Sequence, residues 1–341
     1  LTFNLSNFPW PAVELLLQNL EADLFGLSCL TANRRGVALL ARFIKKMHPG
    51  SVVAVGGPHV SALPLETLAH YPAIDLVVVG EGEETFMEIV GALERGEPVE
   101  GIAGTAWQGS DGPRMESPRA IKSDLDDLAS PCDYFKLRTI LTSRGCPMRC
   151  TFCGSRMMWG QRVRFHSVEY VLDMLEKAVE RDNQKIVAIK DDSFTADKQR
   201  VLEICDGIHH RGLDFVWSCD TRADFLNEEL LSAMRRAGCQ RISLGLESAS
   251  EEILRNIHKQ ILPETVLAAT RQARKYGIQI RYYLMIGNRG ESLETFQQTL
   301  AFIEAARPNQ TVFSQLHLYP GTEEFDIFEQ LGLVSKDAFF S

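Results

Sequence analysis

The run Arg144-Gly145-Cys146-Pro147-Met148-Arg149-Cys150-Thr151-Phe152-Cys153-Gly154 spaces three cysteines as C-x-x-x-C-x-x-C. Thiolates this close in one loop can converge on a metal centre with little backbone strain. Three ligands rather than four leave one coordination position open. A structural zinc site wants a fourth Cys or His, commonly from a second C-x-x-C pair, and the sequence has no such pair. His166, the nearest histidine downstream, sits at a helix start after Arg162 and Arg164. Iron–sulfur cubanes normally take four thiolates, so three protein ligands leave one iron for a substrate or cosubstrate. Phe152 would shield such a cluster from water. Arg144 and Arg149 would favour the thiolates electrostatically.

The elements that position this loop repeat a strand–helix pattern. Candidate strands are 139–143, 185–190, 214–218, 241–246, 278–286 and 311–318. Helical stretches lie between them at 167–181, 197–210, 227–237, 251–256 with 263–276, and 292–305. Asn227 with Leu230, Leu231 and Met234 shows a cap followed by i, i+3, i+4 apolar spacing. Six parallel strand–helix repeats predict a partial (β/α)6 TIM-like barrel, whose active site lies at the carboxyl ends of its strands. The cysteine loop follows the first strand, which puts it at that rim.

Residues 1–110 alternate in the same way. Strands over 22–28, 51–55 and 74–79 are continuously apolar, which means a parallel sheet covered on both faces. The expected class is α/β: an N-terminal Rossmann-like, doubly wound parallel sheet, then the partial barrel. Ligands of such sheets bind at the strands' carboxyl ends. Those ends are Ser28-Cys29-Leu30-Thr31, Gly56-Gly57-Pro58-His59 and Gly80-Glu81-Gly82-Glu83. Tight strand-to-helix corners need glycine whatever is bound, but three such loops at one edge favour a ligand. The dinucleotide fingerprint G-x-G-x-x-G is absent. The expected domains are 1–110, a linker with a β-hairpin over 111–137, the barrel over 138–325, and the start of a C-terminal segment over 326–341.

Bulk properties narrow the function classes. The 341 residues are 45% hydrophobic and 24% charged, with a net charge of −9. An acidic protein has no general attraction to nucleic-acid phosphates or anionic lipid, so no nucleic-acid partner is expected. The longest apolar runs fall well short of the roughly 20 residues a membrane span needs. The other five cysteines, Cys29, Cys132, Cys205, Cys219 and Cys239, lie in apolar or strand-like contexts and read as small buried hydrophobes. Their uneven spacing argues against a disulfide framework and for a reducing cytoplasm. The sequence opens on Leu1 in what reads as mid-domain, so an N-terminally incomplete sequence is expected.

The run Cys146-x-x-x-Cys150-x-Phe152-Cys153, after the first strand of a β/α series, resembles the signature of the radical S-adenosylmethionine superfamily. The resemblance covers roughly residues 138–325. It implies a 4Fe-4S cluster on Cys146, Cys150 and Cys153, with S-adenosylmethionine on its open iron. Phe152 belongs to that motif. The family's later loops are matched in turn. Asp191-Asp192 would meet the methionine amine, and Ser218 and Arg222 the ribose and carboxylate. Gly245-Leu246-Glu247-Ser248 resembles G-[IVL]-E-S. Ile286 and Gly287 would hold adenine, and Tyr319-Pro320-Gly321-Thr322 resembles the barrel's P-G-T ending. One segment departs from the pattern: G-[LF]-P-G-E is here Gly287-Asn288-Arg289-Gly290-Glu291.

The N-terminal half resembles the cobalamin-binding domain that precedes this barrel in one large subfamily, with Ser28, Leu30, Gly56, Gly57, Gly80, Glu81 and Gly82 carrying the likeness. In that family Ser28 and the two glycines Gly56 and Gly57 would line the cleft for the nucleotide tail. The family's D-x-H-x-x-G is not found, its expected place being upstream of Leu1, and His59 is not expected to ligate cobalt. Without cobalamin the domain would be a degenerate docking module. The resemblance implies a 5′-deoxyadenosyl radical that abstracts hydrogen from an unactivated carbon of a small-molecule or natural-product substrate, followed by methyl transfer from cobalamin. A flavodoxin- or ferredoxin-type reductant would supply the electron. Radical cyclisation or rearrangement of the anaerobic porphyrin cyclase type is the alternative. A non-catalytic electron-transfer or sensor protein is the second.

Overall fold

Alternating strands and helices predict α/β architecture, and the computed structural model, which describes residues 9–340, contains two units built that way. One comprises Leu1–Ile121 with Tyr319–Ser341, the other Lys122–Leu318.

In the first unit, β1 (Leu24–Ser28), β2 (Val52–Gly56) and β3 (Leu76–Val78) are parallel neighbours. The hairpin β4 (Thr105–Gly109) and β5 (Gly112–Met115) extends the sheet antiparallel to β3. Strand alternation sorts the side chains to two faces. Val53, Val55, Val77 and Ala106 pack against Val37, Ala41 and Ile44 of helix Arg34–Met47 and Leu68 of helix Pro64–His70. Ala54, Leu76 and Val78 pack against Phe86 and Ile89 of helix Glu83–Glu94. Helices on both faces account for the uninterrupted valines. Among the described residues the strand order runs without the reversal that defines a doubly wound sheet. The hairpin expected in the linker is present, and its second strand, β5, joins this sheet through β4.

His59, expected at a ligand edge, is 2% exposed. Its Nδ1 lies 3.1 Å from Thr31 Oγ1, and Phe339 stands edge-on to the ring at 5.5 Å. Burial, then the neighbouring Arg34 charge, pushes its pKa down to about 4. Between its ordinary value of 6.5 and about 4 the unfolded chain takes up a proton that the folded chain excludes. Stability is therefore expected to fall as pH drops through that window, by at most about 3 kcal/mol. Urea unfolding at pH 7 and at about pH 5 measures it. His59→Leu is expected to flatten the dependence, and an unchanged slope would refute the assignment.

In the second unit six parallel strands stand in sequence order. They are β6 (Thr139–Ile140), β9 (Ile186–Ile189), β10 (Val216–Thr221), β11 (Cys239–Glu247), β12 (Gln279–Ile286) and β13 (Gln310–Gln315). Between the first two, β7 (Ser143–Arg144) and β8 (Arg164–Phe165) form a separate antiparallel pair. The sheet is the partial barrel that the repeats predict. Helix starts follow the sequence closely. Ser167, Asp197 and Asn227 each accept from a backbone N–H in the first turn, and Ser292 forms a capping box with Thr295, each cap worth about 1 kcal/mol. One buried face of the sheet, including Val187, Ile189, Trp217, Ile242, Leu244 and Tyr282, packs beneath the helices.

Several strand boundaries differ from expectation, among them the next two. The predicted strand 139–143 breaks after Ile140, because the Thr142 N–H is taken by a side chain from the next strand's end. The strand predicted over 214–218 runs on to Thr221. Among the described residues no helix is long and apolar enough to cross a membrane.

Candidate active site

The cysteine loop is launched from a pinned turn. Asp191, one residue past the Lys190 that follows β9, is 1% exposed. Its carboxylate accepts from the Thr142 N–H, the Thr142 hydroxyl and the Ser143 hydroxyl, each at 2.6 Å. Arg200 donates to the carbonyls of Thr142 (2.7 Å) and His166 (3.0 Å) from behind. Gly145 follows with φ +95°, and a Cβ there would lie 2.9 Å from the Arg162 carbonyl oxygen. Only glycine fits that corner. The loop is tied again at Thr151, whose N–H donates to the Ile257 carbonyl at 3.1 Å. Asp191 is thus committed to holding the loop. Its neighbour Asp192 is exposed and accepts from Ser155 Oγ at 2.6 Å, at the loop's far end.

Burial pushes the thiols of Cys146, Cys150 and Cys153 above their usual range, Cys153 to about 11. Positive charge counters burial at Cys150 and Cys146, but not from the arginines that the sequence suggests. Arg144 lies over the Trp159 ring at 5.1 Å, and Arg149 is exposed. The cations that pull on those two thiols are Lys259 and Arg222.

Lys259 was not foreseen. It is 7% exposed and pairs with Glu247 Oε1 at 2.8 Å. Arg222 holds its backbone in place by donating to the carbonyls of Lys259 and Gln260, both at 2.9 Å, while gripping Asp224. His258 and Gln260 on either side have φ +52° and +50°, and Glu247 has φ +64°. Three non-glycine residues in the left-handed region around one ion pair cost about 1–3 kcal/mol each, a concentration of strain typical of functional sites. Gly245 completes the arrangement. A Cβ there would lie 2.6 Å from Glu247 Oε1 and 2.7 Å from Lys259 Nζ. The glycine of the G-L-E-S segment thus leaves room for the pair as it stands, and a side chain there would displace its charged ends. The only sequence signal for Lys259 was a charged residue where the chain turns between two helices.

The other expected residues are dispersed around this centre. Phe152 is half-buried between Cys150 and Cys153. Ser218 lies in mid-β10 rather than after it. Ile286 and Gly287 are exposed at the end of β12, with the Gly287 N–H donating to Glu291. In the departing segment Arg289 donates to the Asn256 carbonyl at 2.6 Å, so the charge that replaces proline ties this loop to helix Glu251–Asn256. Tyr282 and Tyr283 part by strand alternation: Tyr282 is buried against Thr270 at 2.6 Å, and Tyr283 faces the other way.

In the first unit a cavity of about 410 Å3 lies on the Glu83–Glu94 side of the sheet, lined by Ser28, Gly56, Gly82, Gly26 and Phe86 among others. Leu30, Gly57, Gly80 and Glu81 are not in its lining. Leu30 is 51% exposed. Gly57, at φ +111°, is required by the backbone itself, since a Cβ there would lie 2.6 Å from the Cys29 carbonyl oxygen. The Gly80 N–H donates to Ser61. Gly26 was missed, though a glycine inside a strand signals close approach. Its Cβ would lie 3.2 Å from the Phe86 ring. Gly26→Val is expected to fill this cradle and lower cobalamin retained after gel filtration by more than half, with the iron content unchanged. Equal retention would separate the cavity from the cofactor.

A model of the Radical SAM superfamily matches residues 140–303, and a B12 binding domain model matches residues 5–90. An uncharacterized methyltransferase of Pyrococcus horikoshii is 33% identical over 91% of this chain and 70% of its own length. The chain belongs to the radical SAM superfamily. It also carries a B12-binding domain. The anaerobic magnesium-protoporphyrin IX monomethyl ester cyclase of Rubrivivax gelatinosus is 25% identical, over 93% of this chain and 60% of the cyclase. The cytidylyl-2-hydroxyethylphosphonate methyltransferase of Streptomyces wedmorensis is 26% identical, over 85% and 64%. The chain thus spans about three fifths of the length of these two relatives. Among solved structures, the radical S-adenosylmethionine methyltransferase TsrM of Kitasatospora setae, with cobalamin and a 4Fe-4S cluster bound, superposes with a TM-score of 0.81 at 19% identity, covering 95% of this chain and 67% of that one. The cobalamin-dependent enzyme OxsB gives 0.75 at 22%, covering 98% and 50%. At these identities they establish the fold.

Superfamily membership implies a 4Fe-4S cluster and S-adenosylmethionine, and the B12-binding domain supports cobalamin. The residues present fit these groups. Three thiols on one tethered loop, with buried cations beside them, suit an anionic cluster. Among the described residues no three His, Cys, Asp or Glu side chains are grouped tightly enough for one metal ion, and thiolates that each hold a different iron need not be. The small-residue cavity suits a bulky tail that needs backbone approach.

Proposed function

We propose that this chain cleaves S-adenosylmethionine reductively and transfers a methyl group from cobalamin to an unactivated carbon of a small molecule. The observation that carries the reading is the cysteine loop at the carboxyl rim of six parallel strands, with Lys259 and Arg222 buried beside it. When bound, the reduced cluster with S-adenosylmethionine supplies a 5′-deoxyadenosyl radical and cobalamin supplies the methyl group. The protein binds, orients and excludes water. Cys146, Cys150 and Cys153 hold the cluster, and Phe152 covers it. Asp192, exposed at the rim, meets the methionine amine. Lys259 and Arg222 provide positive charge for the methionine carboxylate, with Glu247 setting the lysine's direction. Ile286 and Gly287 present backbone to adenine. Asp191 acts through the loop it pins, and Ser218 lines the inner face of β10. Residues 138–325 form the radical domain and 1–110 the cobalamin domain, where Ser28, Gly56 and Gly82 face the nucleotide tail.

We place the chain in a reducing cytoplasm, with a flavodoxin- or ferredoxin-type protein as its electron donor. The test is anaerobic reconstitution with iron, sulfide and cobalamin, reduction, and assay for 5′-deoxyadenosine. No 5′-deoxyadenosine above the cluster-free control would reject radical chemistry and leave an electron-transfer or sensor role. Formation of 5′-deoxyadenosine without cobalamin retention would favour the cyclisation alternative, which the likeness to the Rubrivivax cyclase supports.

A further inference from the structure

The inner face of the six-strand sheet carries charge where β/α barrels ordinarily stack branched aliphatic side chains. Ile189, Cys219, Ile242, Leu244 and Tyr282 turn outward under the helices. Residues of the opposite parity face the concave side. Register pairs Asp220 with Ser243, Ser243 with Arg281, and Arg281 with Gln310. Lys190 completes this cross-section from the end of β9, its Nζ donating to Asp220 Oδ2 at 2.8 Å. One layer of the barrel is thus polar from strand to strand.

These side chains form a linked cluster. Lys190 Nζ lies 3.4 Å from the Tyr283 hydroxyl and 5.9 Å from the centre of its ring. The Arg281 and Ser243 side chains lie beside the same hydroxyl, and Arg281 Nε donates to Gln310 Oε1 at 2.8 Å. One layer deeper, Arg241 buries an Nε without a hydrogen-bond partner. Among the described residues the inner face thus carries the cations Lys190, Arg241 and Arg281 with the carboxylate Asp220, while Glu247 is paired with Lys259 and Asp192 accepts from Ser155 at the rim. The Lys190 and Asp220 side chains remain 38% and 25% exposed, so the space before them is open rather than packed. Unbalanced positive charge within a concave, low-dielectric wall raises the local concentration of anions.

We propose that Lys190, Arg281 and Tyr283, oriented by Asp220, form a recognition site for an anionic group, a carboxylate or a phosphoryl group, on the substrate. This assignment of the occupant as substrate rests on the radical reading above. The site's charge does not. Asp220 fixes the lysine on one side and leaves the remaining donors to a single anionic group. Tyr283 gives the group a neutral donor and an aromatic edge.

The test is calorimetric titration of the reconstituted full-length chain with succinate and with inorganic pyrophosphate, and with putrescine and glycerol as counter-probes. The wild type is expected to bind at least one anion and neither counter-probe, and the anion that binds separates carboxylate from phosphoryl recognition. Lys190→Met and Arg281→Gln are each expected to weaken binding by at least about tenfold, the loss of one charge-assisted hydrogen bond. Lys275→Met, on an outer helix, is expected to bind as the wild type does. Tyr283→Phe, a milder change, serves if a charge variant fails to fold by circular dichroism, with a smaller loss expected. No anion binding at millimolar concentration, equal binding by the variants, or preference for putrescine overturns the proposal. Anion binding without 5′-deoxyadenosine formation supports the site while rejecting the radical reading.

Discussion

Lys259→Met is expected to destabilise the chain by about 3–5 kcal/mol, among the largest single effects away from the cysteines. Both partners of the pair are nearly sealed from solvent, at 8% and 13% side-chain exposure, so screening offers little relief. Removing the lysine strands the Glu247 carboxylate in a site that Gly245 leaves open for two groups. The change also removes a cation from beside Cys150. The strain at His258, Gln260 and Glu247 is then no longer offset by the pair that the unusual backbone serves. Urea unfolding measures the effect. The double variant Lys259→Met/Glu247→Leu is expected to recover most of the loss, because no uncompensated charge remains. A single variant costing under about 1 kcal/mol would mean that the pair is solvated and weak.

Replacement of Cys146, Cys150 or Cys153 by Ala is expected to reduce both bound iron and sulfide and 5′-deoxyadenosine formation to background. On the proposed assignment each thiolate would hold a different iron of a cubane, so no one of them would be dispensable. The assay also separates these cysteines from the buried ones. Cys205→Ala, in the helix Lys198–His210, removes a core side chain and is expected to lower stability by roughly 1 kcal/mol while iron loading persists. Full loading of a Cys146→Ala chain would refute the ligand assignment. Because burial raises all three thiol pKa values, loading must release protons, and it is expected to slow as pH falls.

Much of the fold was legible from local pattern. All six barrel strands lie near the predicted runs, because the side chains that each turns toward the covering helices are apolar and mark the strand even where its inner face is polar. Helix starts at Asp197, Asn227 and Ser292 were legible because a cap is a local hydrogen bond. The break at Thr142 was not, since it depends on a carboxylate 49 residues further on. The same non-locality divides Asp191 from Asp192. Side by side in sequence and alike in chemistry, one is spent inside on Thr142 and Ser143 while the other stays exposed at the rim.

The cysteine spacing by itself pointed to cluster-binding chemistry, since loop ligands within a few residues need no distant partner to be recognised. It also determined the rim on which that chemistry sits, through the strand that precedes it. Only the tertiary structure decided which charges surround the thiols. Arg144 and Arg149, adjacent in sequence, are directed elsewhere, and the cations that matter arrive from residues 222 and 259. Electrostatic influence follows distance through space, and a β/α barrel brings its strand ends together regardless of their separation along the chain.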